Sequence, residues 1–363
     1  MSGRTSKRPW LIALGLGVAV MGQAQAVSLE PMSVDAKKSE LGKRLFFDNR
    51  LSGDSAISCG TCHQPDNGFA NSEALSPAYP GSKGFRNAPS LINTAYKKSW
   101  FHDGRLGTNL NDVTRENITE DYVMNMDMRL MQERLKQDPV YVQMFKDAGY
   151  GEPSNGAVRK AIPEYLKTLV SKNVAYDKDS MTESAIRGEK LFTGKAGCSS
   201  CHSGLLFSDG KAWNTGVPEN PEIFRDPERH ATFIAFNMFM GNENYMNLKR
   251  DVGAHVQTHK ADGTDIGKFM TPSLRELKYT APYMHNGMLA TLDDVVDFYN
   301  QGGGVDRNKD KRLKPLNLRA SEKADLVAFL QALSGDPLTG DQYVWSKADY
   351  SYKTIANWTK AKN

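Results

Sequence analysis

Cys59-Gly60-Thr61-Cys62-His63 and Cys198-Ser199-Ser200-Cys201-His202 are two copies of one pattern, and together they use all four cysteines of the 363-residue chain. Two thiols two residues apart on a turn can add to the two vinyl groups of one haem, and the imidazole that follows then sits under the iron as its proximal ligand. A zinc site or a redox Cys-x-x-Cys pair would use the cysteines without calling for a His directly after both pairs. The motifs are therefore read as two covalent haem c attachments, one through Cys59, Cys62 and His63 and one through Cys198, Cys201 and His202.

The flanks of the motifs repeat too. Leu41-Gly42-Lys43-Arg44-Leu45-Phe46-Phe47 precedes the first and Ile186-Arg187-Gly188-Glu189-Lys190-Leu191-Phe192 the second, sharing the Gly-x-x-Leu-Phe pattern of a helix with its apolar side toward the haem. The motifs lie 139 positions apart, so two modules of about that size are expected. A helix around residues 322–333, capped by Ser321 and stopped by Gly335 before Pro337, reads as the closing helix of a small cytochrome c. Few runs alternate with a period of two. The expected fold class is mostly α: two cytochrome c-like haem domains with long loops, joined face to face. Their boundaries are a signal peptide at 1–26, an N-terminal haem domain at 27–171, a C-terminal haem domain at 172–335 that opens on a polar connector at 172–182, and a tail at 336–363.

Composition narrows the alternatives. With 39% hydrophobic residues and 46 Lys+Arg against 42 Asp+Glu, the chain is neither a disordered tail, a collagen nor a disulfide scaffold. A formal charge of +4 is too weak to imply nucleic acid. Arg4, Lys7 and Arg8, an apolar run from Leu11 to Met21 and then Ala24-Gln25-Ala26 read as a cleavable secretory signal, which leaves 43 bases against 42 acids. No stretch is long enough for a membrane span. A soluble, periplasmic mature protein is expected. Methionines at Met124, Met126, Met128 and Met131, and at Met238, Met240 and Met246, are read as gap fillers beside large cofactors rather than as a copper site. His230, His255 and His259 are read as loop or surface residues.

Two long loops add to the haem motifs. One holds Gly84-Phe85-Arg86-Asn87-Ala88-Pro89-Ser90-Leu91 and Trp100-Phe101-His102-Asp103-Gly104-Arg105. The other holds Phe269-Met270-Thr271-Pro272-Ser273-Leu274-Arg275-Glu276-Leu277, Thr280-Ala281-Pro282-Tyr283-Met284-His285-Asn286-Gly287 and Asp297-Phe298-Tyr299-Asn300. With both motifs, these loops resemble the bacterial di-haem cytochrome c peroxidase and MauG family over about residues 36–335.

The resemblance implies an N-terminal haem that reacts with hydrogen peroxide and a C-terminal haem that handles electrons. It implies a second axial ligand fourteen residues after His285, which is Tyr299, as in MauG-like members, with Met288 and Met284 the alternatives. Many of the peroxidases cap the first haem with a His after the first motif. No His occurs here between His63 and His102, so an open first iron is expected. Glu120, in Asn117-Ile118-Thr119-Glu120, takes the place of the family's distal acid/base, with Glu116 the alternative. His102 stands where the family commonly has an inter-haem Trp. That leaves Trp100 as the bridge, or His102 itself as a distal group. Ala196 replaces the Trp that MauG uses to pass holes to its partner, with Trp213, Trp345 and Trp358 as substitutes. The resemblance further implies one calcium ion on Asn87, Thr280 and Pro282, and haem propionates met by Arg86, Arg105 and Arg275.

Three functions are weighed. The first is a MauG-like oxidase that uses peroxide to form a high-valent iron state and oxidises Trp or Tyr side chains of a periplasmic partner protein, favoured by Tyr299 and the missing capping His. The alternative is a cytochrome c peroxidase fed by a small electron-donor protein. The third is a non-enzymatic electron carrier.

Overall fold

The computed structural model describes residues 29–107 and 109–338. The signal sequence, Trp345, Trp358 and most of the expected tail lie outside the described residues. The first half carries α1 (Ala36–Phe46), α2 (Cys59–Cys62), α3 (Leu110–Thr119), α4 (Met128–Lys136), α5 (Pro139–Asp147) and α6 (Asn155–Leu166). The second carries α7 (Glu183–Thr193), α8 (Glu222–Arg225), α9 (Pro227–Phe239), α10 (His255–Thr258), α11 (Leu292–Asn300) and α12 (Ala320–Ala332). Among the described residues the one sheet is a two-stranded antiparallel ladder of β1 (Ala212–Trp213) on β2 (Phe269–Met270).

The repeated glycine has a structural reason. A methyl group built on Gly42 of α1 would fall on the Ala161 carbonyl of α6, and one on Gly188 of α7 would fall on the Asp325 carbonyl of α12. Each half is thus closed by a helix pair crossing at backbone contact, which only glycine permits. Side-chain caps fix where the pairs begin: Asp35 accepts the Lys37 and Lys38 N–H groups at 3.1 Å, and Thr182 accepts that of Ala185 at 3.2 Å. The closing helix starts earlier than expected. Ser321 lies inside α12, the cap position belongs to Arg319, and Glu322 reaches back to the Arg319 N–H at 2.8 Å.

Three apolar clusters form the core. The first packs α1, α5 and α6 around Phe46, Tyr141, Phe145 and Tyr165, and the second packs α7 and α12 around Phe192, Phe207 and Phe329. The third joins the halves: Leu75 and Phe85 of the first pack on Ile223, Phe233, Phe236 and Val252 of the second, with Phe85 edge-on to Phe233 at 5.5 Å. Met124, Met126 and Met131 are buried in the first cluster, whereas Met238 and Met246 are exposed. His230 and His255 lie on α9 and α10, not in loops.

Candidate haem centres

The first motif begins as a single helical turn, α2, closed by the Thr61 hydroxyl accepting the Ser58 N–H at 3.0 Å. His63 Nδ1 stands 3.1 Å from the carbonyls of both Phe69 and Pro89. A ring nitrogen between carbonyls carries the proton, which leaves Nε2 with the free lone pair that an iron requires. Burial pushes His63 down to about 4, so the ring is neutral. Burial also pushes the Cys59 and Cys62 thiols up to about 12 and about 11. A cavity of about 770 Å³ opens over these residues, walled by Phe46, Ile57, Leu91 and Trp100, and reaching Met270 and Pro272 of the second half. A largely apolar space of this size beside two thiols and an imidazole fits a covalently held haem.

The second motif is built the same way. Cys198–Ser200 forms a 3₁₀ turn and His202 Nδ1 lies 2.9 Å from the Phe207 carbonyl. Tyr299, on α11, is brought to this motif. Burial pushes its phenol up to about 12, the Cys198 and Cys201 thiols add to that, and a hydrogen bond with Thr215 opposes it. The donor set again fits a haem c.

Trp100 and His102 both line the first cavity. Trp100 is buried, with Nε1 donating to the Thr94 carbonyl at 3.4 Å. Burial, reinforced by Arg86, pushes His102 down to about 4, and its Nε2 donates to the Asn87 carbonyl at 2.8 Å. The His102 carbonyl accepts the Met270 N–H at 2.8 Å, and the Asn87 N–H goes to the His285 carbonyl at 2.8 Å. His102 therefore stitches the seam between the halves, and in this arrangement its Nε2 is taken.

Glu120 is the C-cap residue that follows α3, in extended backbone. Its pKa is raised, first by burial and then by Glu116, against the pull of Arg105. Glu116 lies 3.8 Å from Arg105 Nε. Asn117 and Tyr122 line the cavity, and Glu120 follows Asn117 one turn on, outside the wall itself.

The three arginines expected at propionates differ. Arg86 binds Asp251 through Nε at 2.6 Å and Nη2 at 2.8 Å, and Asp103 through Nη1 at 2.6 Å. Arg275 holds Asp177 with two bonds at 2.8 and 2.9 Å. Both are thus charge-paired within the protein. Arg105 shares Asp103 but keeps a buried Nε without a hydrogen bond, and it lines the cavity. Lys97 lines the cavity as well, has no carboxylate partner among the described residues, and is pushed down to about 8 by burial. Nothing in the local sequence singled it out.

Other residues that sequence reasoning missed are long-range partners. Asp103 and Asp251 are 0% and 2% exposed, and although burial alone would raise them, Arg86 holds both below the ordinary carboxylate value. Glu219 accepts the Asp251 N–H at 3.2 Å, and burial with the Asp251 charge pushes it up to about 7. His285 stacks on Phe269 at 3.6 Å with Nε2 buried and unbonded. Of the residues expected at calcium, the Asn87 amide nitrogen donates to the Glu73 carbonyl at 2.8 Å, and the 280–285 loop docks on Asn67, Gly68 and Asn87. No cluster of three or more His, Cys, Asp or Glu side chains among the described residues forms a metal site, so a hard cation here would depend on neutral oxygens.

Residues 36–185 match the family described as CCP_MauG, di-haem cytochrome c peroxidase. The chain is 49% identical over 332 residues to the cytochrome-c peroxidase IdrP2 of Denitromonas iodatirespirans, covering 89% of both chains. It is 34% identical to the methylamine utilization protein MauG of Methylorubrum extorquens, over 83% of this chain and 79% of that one. A crystal structure of a MauG-like protein associated with microbial copper homeostasis superposes with a TM-score of 0.73 at 26% identity, covering 86% of this chain and 93% of that one. The chain belongs to the di-haem cytochrome c peroxidase and MauG superfamily, and it is an oxidoreductase of the peroxidase type that uses hydrogen peroxide. A purely electron-carrying role is thereby set aside.

Proposed function

We propose that the chain is a cytochrome c peroxidase, reducing hydrogen peroxide to water with electrons from a small cytochrome or cupredoxin. The observation that carries this reading is the 49% identity to a cytochrome-c peroxidase along 89% of both chains, against 34% to MauG. It displaces oxidation of a partner's Trp or Tyr, the reading favoured above from Tyr299 and the missing capping His. Two features of the chain agree: Ala196, buried, offers no oxidisable side chain at its own position before the second motif, and the His102 ring is tied to a backbone carbonyl.

In this reading His63 and His202 hold the two irons through Nε2, and Cys59, Cys62, Cys198 and Cys201 fix the porphyrins. The haems supply the redox chemistry that cleaves the peroxide O–O bond. Tyr299 would be the further protein donor to the C-terminal haem. The Glu120 carboxyl would move a proton between the peroxide oxygens; burial and Glu116 raise its pKa, and the Arg105 contact draws Glu116 away from the role. Arg105 and Lys97 would meet propionates of the first haem, with Arg86 holding the Asp103 that Arg105 shares. Asn87 Oδ1 and the Thr280 and Pro282 carbonyls hold calcium across the seam. The mature protein works in the periplasm, exported by residues 1–26.

The test mixes oxidised protein with one equivalent of peroxide, with and without a reduced small cytochrome or cupredoxin. Oxidation of two equivalents of donor per peroxide is expected. A donor left reduced, with peroxide consumed only when a partner protein gains oxidised Trp or Tyr, would restore the MauG-like reading.

A further inference from the structure

We propose that His255 and His259 form a binding site for one late transition-metal ion, with Cu²⁺ the best fit, at the edge of the seam between the two halves. His255-Val256-Gln257-Thr258-His259 is a His-x-x-x-His segment, the spacing that puts two imidazoles on one face of a helical turn. α10 supplies that turn, and the His259 N–H closes it by donating to the His255 carbonyl at 3.0 Å. The two rings stand with their centres 5.8 Å apart and their planes at 62°. An ion bonded to one nitrogen of each ring at about 2.0–2.1 Å sets the ring centres about 5–6 Å apart, so the pair closes on it with little movement.

The surroundings suit a ligand. His255 Nδ1 is buried without a hydrogen-bond partner, a cost that a bound ion would remove. His259 holds left-handed backbone at φ +43°, where glycine or asparagine is the usual residue, and presents an exposed imidazole there instead. Burial, and then His259, hold His255 below the ordinary imidazole value against the pull of Asp265, so its ring is neutral at neutral pH. Asp265 itself is engaged by Lys260 at 2.8 Å and Lys268 at 2.6 Å. Water therefore completes the shell, and two nitrogens with open positions favour Cu²⁺ over Zn²⁺. With both haems attached, the four thiols are consumed and His63 and His202 are committed to iron. His102 Nε2 is tied to the Asn87 carbonyl, and Nε2 of His230 and of His285 is buried, which leaves His255 and His259 as the accessible pair.

The place of α10 gives such an ion something to act on. Val252 and Val256 pack in the cluster that joins the halves, and the Ala254 N–H donates to the Lys268 carbonyl at 2.8 Å. Gln257, between the two histidines, donates its side-chain amide to the carbonyl of Asp103, the residue that Arg86 and Arg105 share. An ion that ties residue 255 to residue 259 fixes the turn that carries Gln257, so occupancy stabilises the contact between the halves.

The inference is independent of whether the chain discharges peroxide through a small donor or through a partner's side chains. Holoprotein with both haems and calcium, freed of other metals, is titrated with Cu²⁺ and followed by calorimetry, by electron paramagnetic resonance and by thermal unfolding. One Cu²⁺ per chain is expected, with nitrogen superhyperfine structure in its signal, weaker Zn²⁺ binding at the same place and a raised melting temperature. His259→Asn, which keeps a residue suited to left-handed backbone, and His255→Gln should each weaken Cu²⁺ binding by at least about tenfold, the least that disturbing even an outer-shell partner of a metal typically costs. Haem content and the metal-free melting temperature of His259→Asn should stay at the wild-type values, since that side chain is exposed. If His255→Gln is unstable, His259→Asn decides alone. No stoichiometric binding, a signal without nitrogen structure, or wild-type affinity in His259→Asn overturns the site. Binding that leaves the melting temperature unmoved overturns its coupling to the seam.

Discussion

The two Cys-x-x-Cys-His segments are nearly the same in sequence, and the same backbone rule orients both imidazoles, yet their surroundings diverge. Over His63 the long loops from 84 to 106 leave a cavity of about 770 Å³ with Lys97 and Arg105 in its wall. Around Cys198 and Cys201 the structure supplies Tyr299 from α11 on one side and the Asp209–Trp213–Arg312 stack on the other. A motif attaches a haem; the helices and loops that pack on it decide whether a small oxidant or an electron meets that haem.

The largest expected effect tests what holds these surroundings in place. Arg86 joins Asp103 and Asp251 across the seam, whereas Arg275 pairs with Asp177 alone. Arg86→Ala strands the buried Asp251 carboxylate and leaves Asp103 with Arg105 alone, and should lower stability in urea by about 3–5 kcal/mol. Arg275→Ala strands one and should cost less; equal losses would break the comparison. The pH dependence follows from the sign of the shifts. Asp251 and Asp103 are held below their ordinary value near 3.8, so their stabilisation is fully present above that value and disappears as pH falls through the lowered folded values. Acid titration of Arg86→Ala, followed by circular dichroism, should show a weaker loss below about pH 4 than wild type.

The next effect concerns only the first region. Glu120→Gln should slow the bimolecular reaction with peroxide by more than about tenfold in stopped flow, without altering electron uptake at the second haem. An unchanged rate would move the proton-transfer role to Glu116 or to water. Tyr299→Met should do the reverse: a thioether favours reduced iron more than a phenolate does, so the second haem's potential should rise in a spectroelectrochemical titration while peroxide binding stays the same. The smallest effect is expected of Lys97→Met. Removing an unpaired cation from the first cavity should lower the potential of that haem alone, since the positive charge favours the reduced state.

Much of this was legible in local pattern. The haem anchors, the paired glycine-bearing helices and the α12 region all follow from spacing within a few turns of chain. The position of Tyr299 was reached by resemblance, and the structure places that ring beside Cys198 and Cys201. The errors have a common cause. Ser321 was a good capping residue in the wrong frame, because Glu322 caps Arg319 instead. What the sequence could not show is that Arg86 and Arg275 pair with Asp251 and Asp177, 165 and 98 positions away, beyond any local signal.

The sequence by itself determined that this chain carries two haem attachments in two related helical halves, because thiol spacing, the following His and a glycine crossing are short-range requirements that few residues can meet. Only the tertiary structure decided what each haem site faces. The cavity wall, the Arg86 network, the free Lys97 and the Trp213 stack come from segments far apart in the chain, and charge pairing and burial are properties of the packed neighbourhood rather than of any residue's own place in line.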